Sequence, residues 1–281
     1  MVIQHNISAI DSYRNMSKNT TALNKNLEKL SSGYKINKAG DDAAGLAISE
    51  SMRNKINALD QAEANANDAI GLIQTAEGAL TETHAMLERM TTLATQAANG
   101  TYATTGDSGV SQSTTARDNI QLEINELAEE ITRIATSTDY NGINILTNTN
   151  TKTFQIGPSS GEKLTLKGGE MKASQLGVSA SALRMSTVSA ANSAITKIKN
   201  AVEKVSSYRA QLGAKQNRLE HTINNLKVAN ENTTAAESRI RDTDMAKEIS
   251  AYTKNNILNQ AAQSMLAQAN QSPQGVLSLL G

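Results

Sequence analysis

Both ends of the chain are rich in apolar residues, and over residues 3–34 these recur at mostly three- and four-residue steps, a spacing that places side chains on one stripe of a helix. Over residues 3–34 the stripe comprises Ile3, Ile7, Ile10, Tyr13, Met16, Leu23, Leu27, Leu30 and Tyr34. Over residues 245–280 it comprises Met245, Ile249, Tyr252, Leu258, Met265, Leu266, Val276, Leu277, Leu279 and Leu280. Chain termini usually fray unless something holds them. We therefore expect the two stripes to pair with each other and with neighbouring molecules.

The amino-terminal pattern predicts a helix over residues 3–32. It is expected to end at Gly33, because glycine readily adopts the left-handed conformation of a helix cap. The polar stretch 33–42 is interpreted as a connector. Asp41 or Asp42 is then the N-cap of the next helix.

A second and much longer helix is predicted from about Ala43 to Ala98, where Asn99-Gly100 signals its end. At 1.5 Å per residue it would be roughly 80 Å long, which is far beyond the usual length of a globular helix. After a polar loop over residues 99–115, a third helix is predicted from an unbroken apolar seam. This seam consists of Ile120, Ile124, Leu127, Ile131 and Ile134.

The pattern changes over residues 136–170, which are rich in β-branched and turn residues. Strand candidates are Thr153–Ile156 and Lys163–Lys167, and the turn dipeptides that punctuate the segment are Asn141-Gly142, Ser160-Gly161 and Gly168-Gly169. We interpret this segment as one or two β-hairpins.

Helix is predicted to resume near Ser186 and to keep one apolar register for some distance. The register residues are Ile195, Ile198, Val202, Val205, Leu212, Leu219, Ile223 and Leu226. Arg209, Gln216 and Asn230 interrupt this stripe, and they either fix the helix register or mark where the stripe meets solvent. A last helix is predicted over residues 237–271, with Pro273 and Gly275 ending it.

These elements predict a mainly α fold, an elongated antiparallel helical bundle or coiled-coil rod with a small β-hairpin insert. Residues 43–235 are expected to form the helical rod domain, with the insert at about 138–170. Residues 1–42 and 236–281 are expected to be terminal inner-core helices that form an assembly domain.

Composition narrows the function classes. The 27 basic and 27 acidic residues give a net charge of zero, so we expect neither nucleic acid nor an anionic membrane surface as a partner. No apolar run is long enough to span a membrane, and the amino terminus lacks the pattern of a cleaved signal peptide. The chain has no cysteine. If the protein leaves the cell, we expect a dedicated route without cleavage.

Catalytic chemistry finds little support. His5, His84 and His221 are isolated in the sequence and none belongs to a metal-binding motif. A packed histidine is the more economical interpretation of His84 on the seam of the long helix. There is no cysteine nucleophile and no phosphate-binding glycine loop. We therefore expect no enzyme activity, no catalytic residue, no metal and no cofactor.

Several long strings resemble bacterial flagellin. They are LSSGYKINKAGDDAAGLAISESM (30–52), NANDAIGLIQTAEGAL (65–80), QAANGT (96–101), TDYNGINIL (138–146), SRIRDTDMAKE (238–248) and ILNQAAQSMLAQANQSPQGVLSLL (257–280). Tyr140 stands where the family usually has phenylalanine. The chain resembles a minimal flagellin that lacks the variable outer insert domains.

The resemblance implies a secreted structural subunit that polymerises into the extracellular flagellar filament for motility. It implies export in an unfolded state by the flagellar type III apparatus and contact with the filament cap. A flagellar export chaperone would cover residues 240–280 beforehand. The termini would be disordered in the monomer and fold on assembly, and the hairpin near 140–166 resembles the region linked to filament supercoil switching.

The resemblance also implies two sets of site residues. The assembly interface would comprise Ile3, Ile7, Ile10, Leu23, Leu27, Leu30, Ile249, Leu258, Met265, Leu266, Val276, Leu277 and Leu280. A host flagellin-sensing Toll-like receptor would contact Arg89, Leu93 and Glu123. Thr91 and Thr92 replace two charged residues of the family's recognition string. Arg89 and Leu93 are equally open to interpretation as contacts between filament subunits.

Two alternatives remain open. A hook–filament junction protein shares terminal motifs with flagellin, although its resemblance normally weakens through the long central helices. A membrane-active translocator belongs to a different class and predicts a basic face beside an apolar stripe. Residues 257–280 contain neither lysine nor arginine, which disfavours this class.

Overall fold

The computed structural model describes residues 6–100 and 113–280, with side chains described over 6–100 and 116–271. The elements are α1 (Ile7–Ser32), α2 (Ala43–Ala97), α3 (Ser113–Ser137), β1 (Thr151–Gln155), β2 (Lys163–Lys167), α4 (Ala173–Leu176), α5 (Val188–Arg241) and α6 (Met245–Leu280). The chain forms two compact units. Unit 1 comprises Met1–Asn57 and Glu231–Gly281, and unit 2 comprises Ala58–Asn230. The predicted mainly α fold with a small β-hairpin is confirmed.

Unit 2 is built around the apolar stripes of three long helices. Two ion pairs, Arg209 with Glu77 and Lys227 with Glu63, show that α5 runs antiparallel to α2, because the residue number rises along α5 as it falls along α2. One continuous core joins α2, α3, α5 and the β region. Its fully buried members include Ile73, Leu80, Leu87, Met90, Ile124, Ile131, Leu146, Leu164, Leu183, Met185, Ile198 and Leu212. The apolar periodicity of these helices is thus satisfied inside the unit.

The β region is a two-stranded antiparallel sheet in which Thr151 pairs with Lys167. Leu164 and Leu166 alternate with exposed residues and enter the core of unit 2. The predicted turn at Asn141-Gly142 is confirmed. Both residues have positive φ, 51° and 72°, as a two-residue hairpin turn requires.

The predicted boundary between the first two helices is confirmed in detail. Gly33 ends α1 with φ of 75°, and its N–H donates to the carbonyl of Lys29. Asp42 caps α2, because its carboxylate accepts a hydrogen bond of 2.9 Å from the N–H of Gly45.

The prediction for the last helix, residues 237–271, is wrong at both ends. Helix α5 continues to Arg241, and α6 begins at Met245. The chain leaves the helix at this point because residues near 242 bond to the α1–α2 connector. Thr243 donates to the carbonyl of Gly33 at 2.9 Å.

Helix α6 also continues through Pro273 to Leu280. A proline inside a helix removes one backbone hydrogen bond and favours a kink. Neither effect obliges the chain to leave the helix, so the predicted break at Pro273 and Gly275 is not found.

Candidate assembly surface

Helix α1 exposes much of its apolar stripe. Ile7 is 62% exposed and Ile10 is 56% exposed, and Leu27 is also exposed. Leu23 and Leu30 are half-buried. Ile3 lies outside the described residues. The amino-terminal members of the predicted interface that the structure describes therefore lie on or near the surface of unit 1.

Helix α6 exposes a comparable set. Ile249, Leu258 and Met265 are exposed, and Leu266 is half-buried. Ile257, which the apolar periodicity does not predict, is also exposed. The remaining predicted members, Val276, Leu277 and Leu280, have side chains outside the described part of the chain.

These side chains are exposed because unit 1 pairs two helices. Helix α1 packs against α6, and a two-helix pair covers only one side of each helix. The contacts between them include polar groups. The side chain of Asn6 donates to the carbonyl of Ala269 at 2.8 Å, and that of Asn259 donates to the Thr20 hydroxyl at 3.3 Å. Part of the apolar stripe is thus left on the surface while polar residues occupy the contact.

A cluster that we call the joint consists of Arg241, Glu50 and Tyr34 and lies next to the end of α1 and the start of α6. The Arg241 guanidinium bonds Glu50 at 2.6 Å and lies 4.8 Å from the centre of the Tyr34 ring. Lys35 N–H donates to the carbonyl of Arg241 at 2.7 Å. The hydrogen bond from Arg241 to Glu50, opposed in part by desolvation, holds the pKa of that carboxyl below its usual range. These interactions hold the segment that follows α1 against the segment that precedes α6.

The three predicted receptor residues lie in unit 2 in different environments. Arg89 forms an ion pair of 2.7 Å with Glu123, which joins α2 to α3 at the surface. Leu93 is 2% exposed and belongs to the core. The hydroxyl groups of Thr91 and Thr92 donate to carbonyls of their own helix. Two of the three predicted contacts are therefore accessible in this conformation, and Leu93 is not.

The polar interruptions of the α5 stripe differ among themselves. Arg209 lies 3.6 Å from Glu77, and Asn230 donates to Asp60. Both therefore bond across to α2, which favours the register interpretation. Gln216 instead donates to Glu220 of its own helix.

Metal binding and membrane insertion are two alternatives to a role in assembly. His84 contacts Glu88 at 3.2 Å on the same helix. No group of three or more metal-ligating side chains occurs within residues 6–100 and 116–271. Over the same part of the chain, none of the helices has the length and apolarity to cross a membrane.

Comparison with known proteins identifies the family. Residues 3–151 match the family model for the bacterial flagellin N-terminal helical region, and residues 195–280 match the model for the C-terminal helical region. The chain is 47% identical to flagellin of Bacillus subtilis strain 168 over an alignment of 311 residues. It is 50% identical to flagellin of Halalkalibacterium halodurans over 281 residues.

The similarity extends over whole chains. Both flagellin alignments cover 100% of this chain and 100% of the relative. The flagellar filament 33 kDa core protein of Treponema phagedenis is 45% identical over 295 residues, again with 100% of both chains covered. This full-length similarity favours the filament prediction over a hook–filament junction protein. The chain belongs to the family of bacterial flagellins, the structural subunits of the extracellular filament used in motility.

Proposed function

We propose that the terminal segments, 1–42 and 236–281, are the elements through which this flagellin polymerises. Residues 43–235, with the β insert at 138–170, form the helical rod domain that carries them. The observation that carries this proposal is the exposed apolar stripe of α1 and α6, with Ile7 and Met265 each 62% exposed.

An apolar stripe needs partner surfaces that cover it. Burying a large apolar side chain stabilises an assembly by about 1.5–3 kcal/mol. An isolated helix pair leaves that free energy unused and still bears the cost of ordering its backbone, about 1–2 kcal/mol per residue. Contacts with neighbouring copies of the chain supply the missing burial. The terminal helices therefore become stable only as the polymer forms.

Terminal helices that depend on neighbours for their order also favour one route of export and its partners. A segment whose order depends on neighbours is suited to travel unfolded through the flagellar type III export apparatus and to fold beneath the filament cap. Before export, its apolar side chains need protection from aggregation. A flagellar export chaperone that covers residues 240–280 would give this protection, and the exposed Ile249, Ile257 and Met265 support that assignment.

We also propose recognition by the host flagellin-sensing Toll-like receptor. Support comes from the surface pair Arg89–Glu123. The receptor contact assigned to Leu93 requires that its buried side chain become accessible. Uncharged Thr91 and Thr92 reduce the electrostatic part of the attraction.

A pair of matched double variants tests the assembly proposal. Ile10→Ser with Met265→Ser removes two exposed apolar side chains from unit 1. The control, Leu122→Ser with Val228→Ser, removes two side chains of similar exposure, 61% and 57%, from unit 2.

Purified monomers of each variant are polymerised at a series of concentrations, and filaments are measured by sedimentation and electron microscopy. We expect the unit 1 variant to need at least about a hundredfold higher monomer concentration, since loss of about 3 kcal/mol of burial corresponds to that factor. The unit 2 control should polymerise as the unaltered chain does. Equal polymerisation of both variants would contradict the proposal.

A further inference from the structure

Asn26 is buried in a helix whose large apolar residues are not. It is 8% exposed, whereas Leu27 beside it is 44% exposed. Within Ile7–Ser32, all of which the structure describes, Asn26 is the one buried residue. Burying an amide away from water is unfavourable unless its donors and acceptor find partners.

The amide of Asn26 finds such partners on α6. When its nitrogen faces the neighbouring acceptors and its oxygen the neighbouring donors, the nitrogen donates to Glu248 Oε1 at 2.9 Å. The oxygen accepts from Asn255 Nδ2 at 3.0 Å. Two backbone groups complete the set, the carbonyl of Ala22 on α1 at 3.1 Å and the N–H of Tyr252 on α6 at 3.2 Å, and a backbone group does not distinguish one register from another. The two side-chain partners, Glu248 and Asn255, are seven positions apart and so lie on one stripe of α6. Asn26 is thus held by two side chains whose order along α6 is specific.

Apolar contacts would not give that specificity. Hydrophobic attraction is non-directional and depends on the area buried, so an apolar seam tolerates displacement by a turn. A polar residue at a buried seam position is known to select one register at a cost in stability.

We propose that Asn26 is the specificity-determining residue for the pairing of α1 with α6 and sets their register. The inference rests on the proposed function, in which these helices pair during assembly. A shift of α6 by one turn in one direction replaces Glu248 by Tyr252 beside Asn26. A shift in the other direction replaces Asn255 by Ala251. Either shift removes one of the two side-chain partners.

Replacing Asn26 with leucine separates register from stability. Asn26→Leu adds apolar surface to the seam and removes the directional hydrogen bonds, so the helices are expected to pair in more than one register. Asn24→Leu is the matched control, because Asn24 lies two positions away on the same helix and is exposed.

Engineered thiols report the register, since the chain has no cysteine of its own. Thr20→Cys with Asn259→Cys marks the observed register, because these side chains are in contact. Thr20→Cys with Gln263→Cys marks a shift by one turn. The reporter chains are mixed as a minority with unaltered chains, assembled into filaments and treated with a short thiol cross-linker. Mixtures of single-cysteine chains measure cross-links between molecules, which are subtracted.

With Asn26 or with Asn24→Leu, we expect the observed-register cross-link to dominate. With Asn26→Leu, the ratio of observed to shifted cross-link should fall about tenfold. An unchanged ratio would overturn the inference. Exclusion of the Asn26→Leu chain from filaments would also overturn it, since Asn26 would then be needed for assembly itself. Failure of the reporter chains that retain Asn26 to enter filaments would instead count against the proposed function.

Discussion

The two compact units differ in what becomes of an apolar stripe. In unit 2, Leu80 of α2 and Leu212 of α5 are completely buried, because three helices and a hairpin share one core. In unit 1, Ile10 of α1 and Ile257 of α6 leave more than half of their surface exposed. The spacing of apolar residues is helical in both units. Periodicity therefore specifies a stripe, whereas the number of partner helices decides whether the monomer can bury it.

The largest expected effect comes from removing the exposed stripe of α6. A chain that lacks residues 260–281 loses Met265 and Leu266 and should not polymerise at any accessible concentration. Unit 2 does not include these residues, so the truncated protein should stay soluble and helical. Circular dichroism measures the helix content of the truncated protein, and electron microscopy shows whether it forms filaments. If the truncated chain forms normal filaments, the exposed stripe of α6 is not needed for polymerisation.

A pair of leucine substitutions compares the units directly. Leu80→Ala in unit 2 should lower the free energy of unfolding by about 2–5 kcal/mol, because it leaves a cavity in a packed core. Leu27→Ala in unit 1 should change it by less than about 0.5 kcal/mol in the monomer, because the side chain is exposed.

In the polymer the expected effect of Leu27→Ala is larger. Losing about 1.5 kcal/mol of burial between subunits raises the monomer concentration needed for assembly about tenfold. Urea unfolding measures the free energy of unfolding of each monomer, and sedimentation measures the monomer concentration needed for assembly. Similar unfolding free energies for both variants would show that the units do not differ in packing.

Alkaline pH tests the packing of the buried core in unit 2. Burial raises the pKa of Tyr208 in unit 2 from 10.0 to about 12. The folded pKa is the higher one, so the stability contribution is complete below pH 10.0 and is lost as the pH rises to about 12. The loss amounts to at most about 2–3 kcal/mol.

Tyr208→Phe should abolish this alkaline loss. It should also cost about 1 kcal/mol at neutral pH, because the hydroxyl donates to the carbonyl of Lys167 at 3.1 Å. Tyr13→Phe, on the exposed face of α1, should leave the alkaline loss unchanged. Urea unfolding of the full chain at a series of pH values gives the comparison. An alkaline loss that persists in Tyr208→Phe would show that another group causes it.

The smallest expected effect concerns the joint in unit 1. The pKa of Glu50 is lowered chiefly by its hydrogen bond from Arg241. Because the folded pKa is the lower one, the joint is stabilised above the ordinary value of 4.5 and loosens as the pH falls through the folded pKa. Hydrogen exchange of the Lys35 amide in assembled filaments, corrected for its intrinsic rate, should accelerate in acid.

Glu50→Gln should remove the acid dependence of this exchange. Glu130→Gln is the matched control, because Glu130 also has a lowered pKa but owes it to Arg133 of α3. The control should leave the exchange of Lys35 unchanged. If Glu50→Gln keeps the acid dependence, the joint does not depend on this ion pair.

Local rules allowed much of the fold to be predicted from the sequence. Gly33, Asp42 and Asn141-Gly142 each have a backbone role that one or two residues specify, and all three predictions are confirmed. The break between α5 and α6 was missed because it depends on pairing with residues near Gly33, which are distant in sequence.

The candidate site was predictable only in part. The stripes of α1 and α6 follow from periodicity, but periodicity does not state which members are covered by the partner helix. It also assigned no role to Asn26, because an asparagine in an amphipathic helix is ordinarily expected on the solvated face. The burial of Leu93 could not be predicted from the periodicity of α2 alone, because it depends on how α3 and α5 pack against that helix.

Amide hydrogen exchange of α1 and α6, compared between monomer and filament, tests whether neighbouring copies complete the burial of these helices. If they do, the amides of α1 and α6 exchange fast in the monomer and become protected in the filament, while the amides of unit 2 around Leu80 are protected in both states. Equal protection of α1 and α6 in monomer and filament would contradict burial by neighbouring copies.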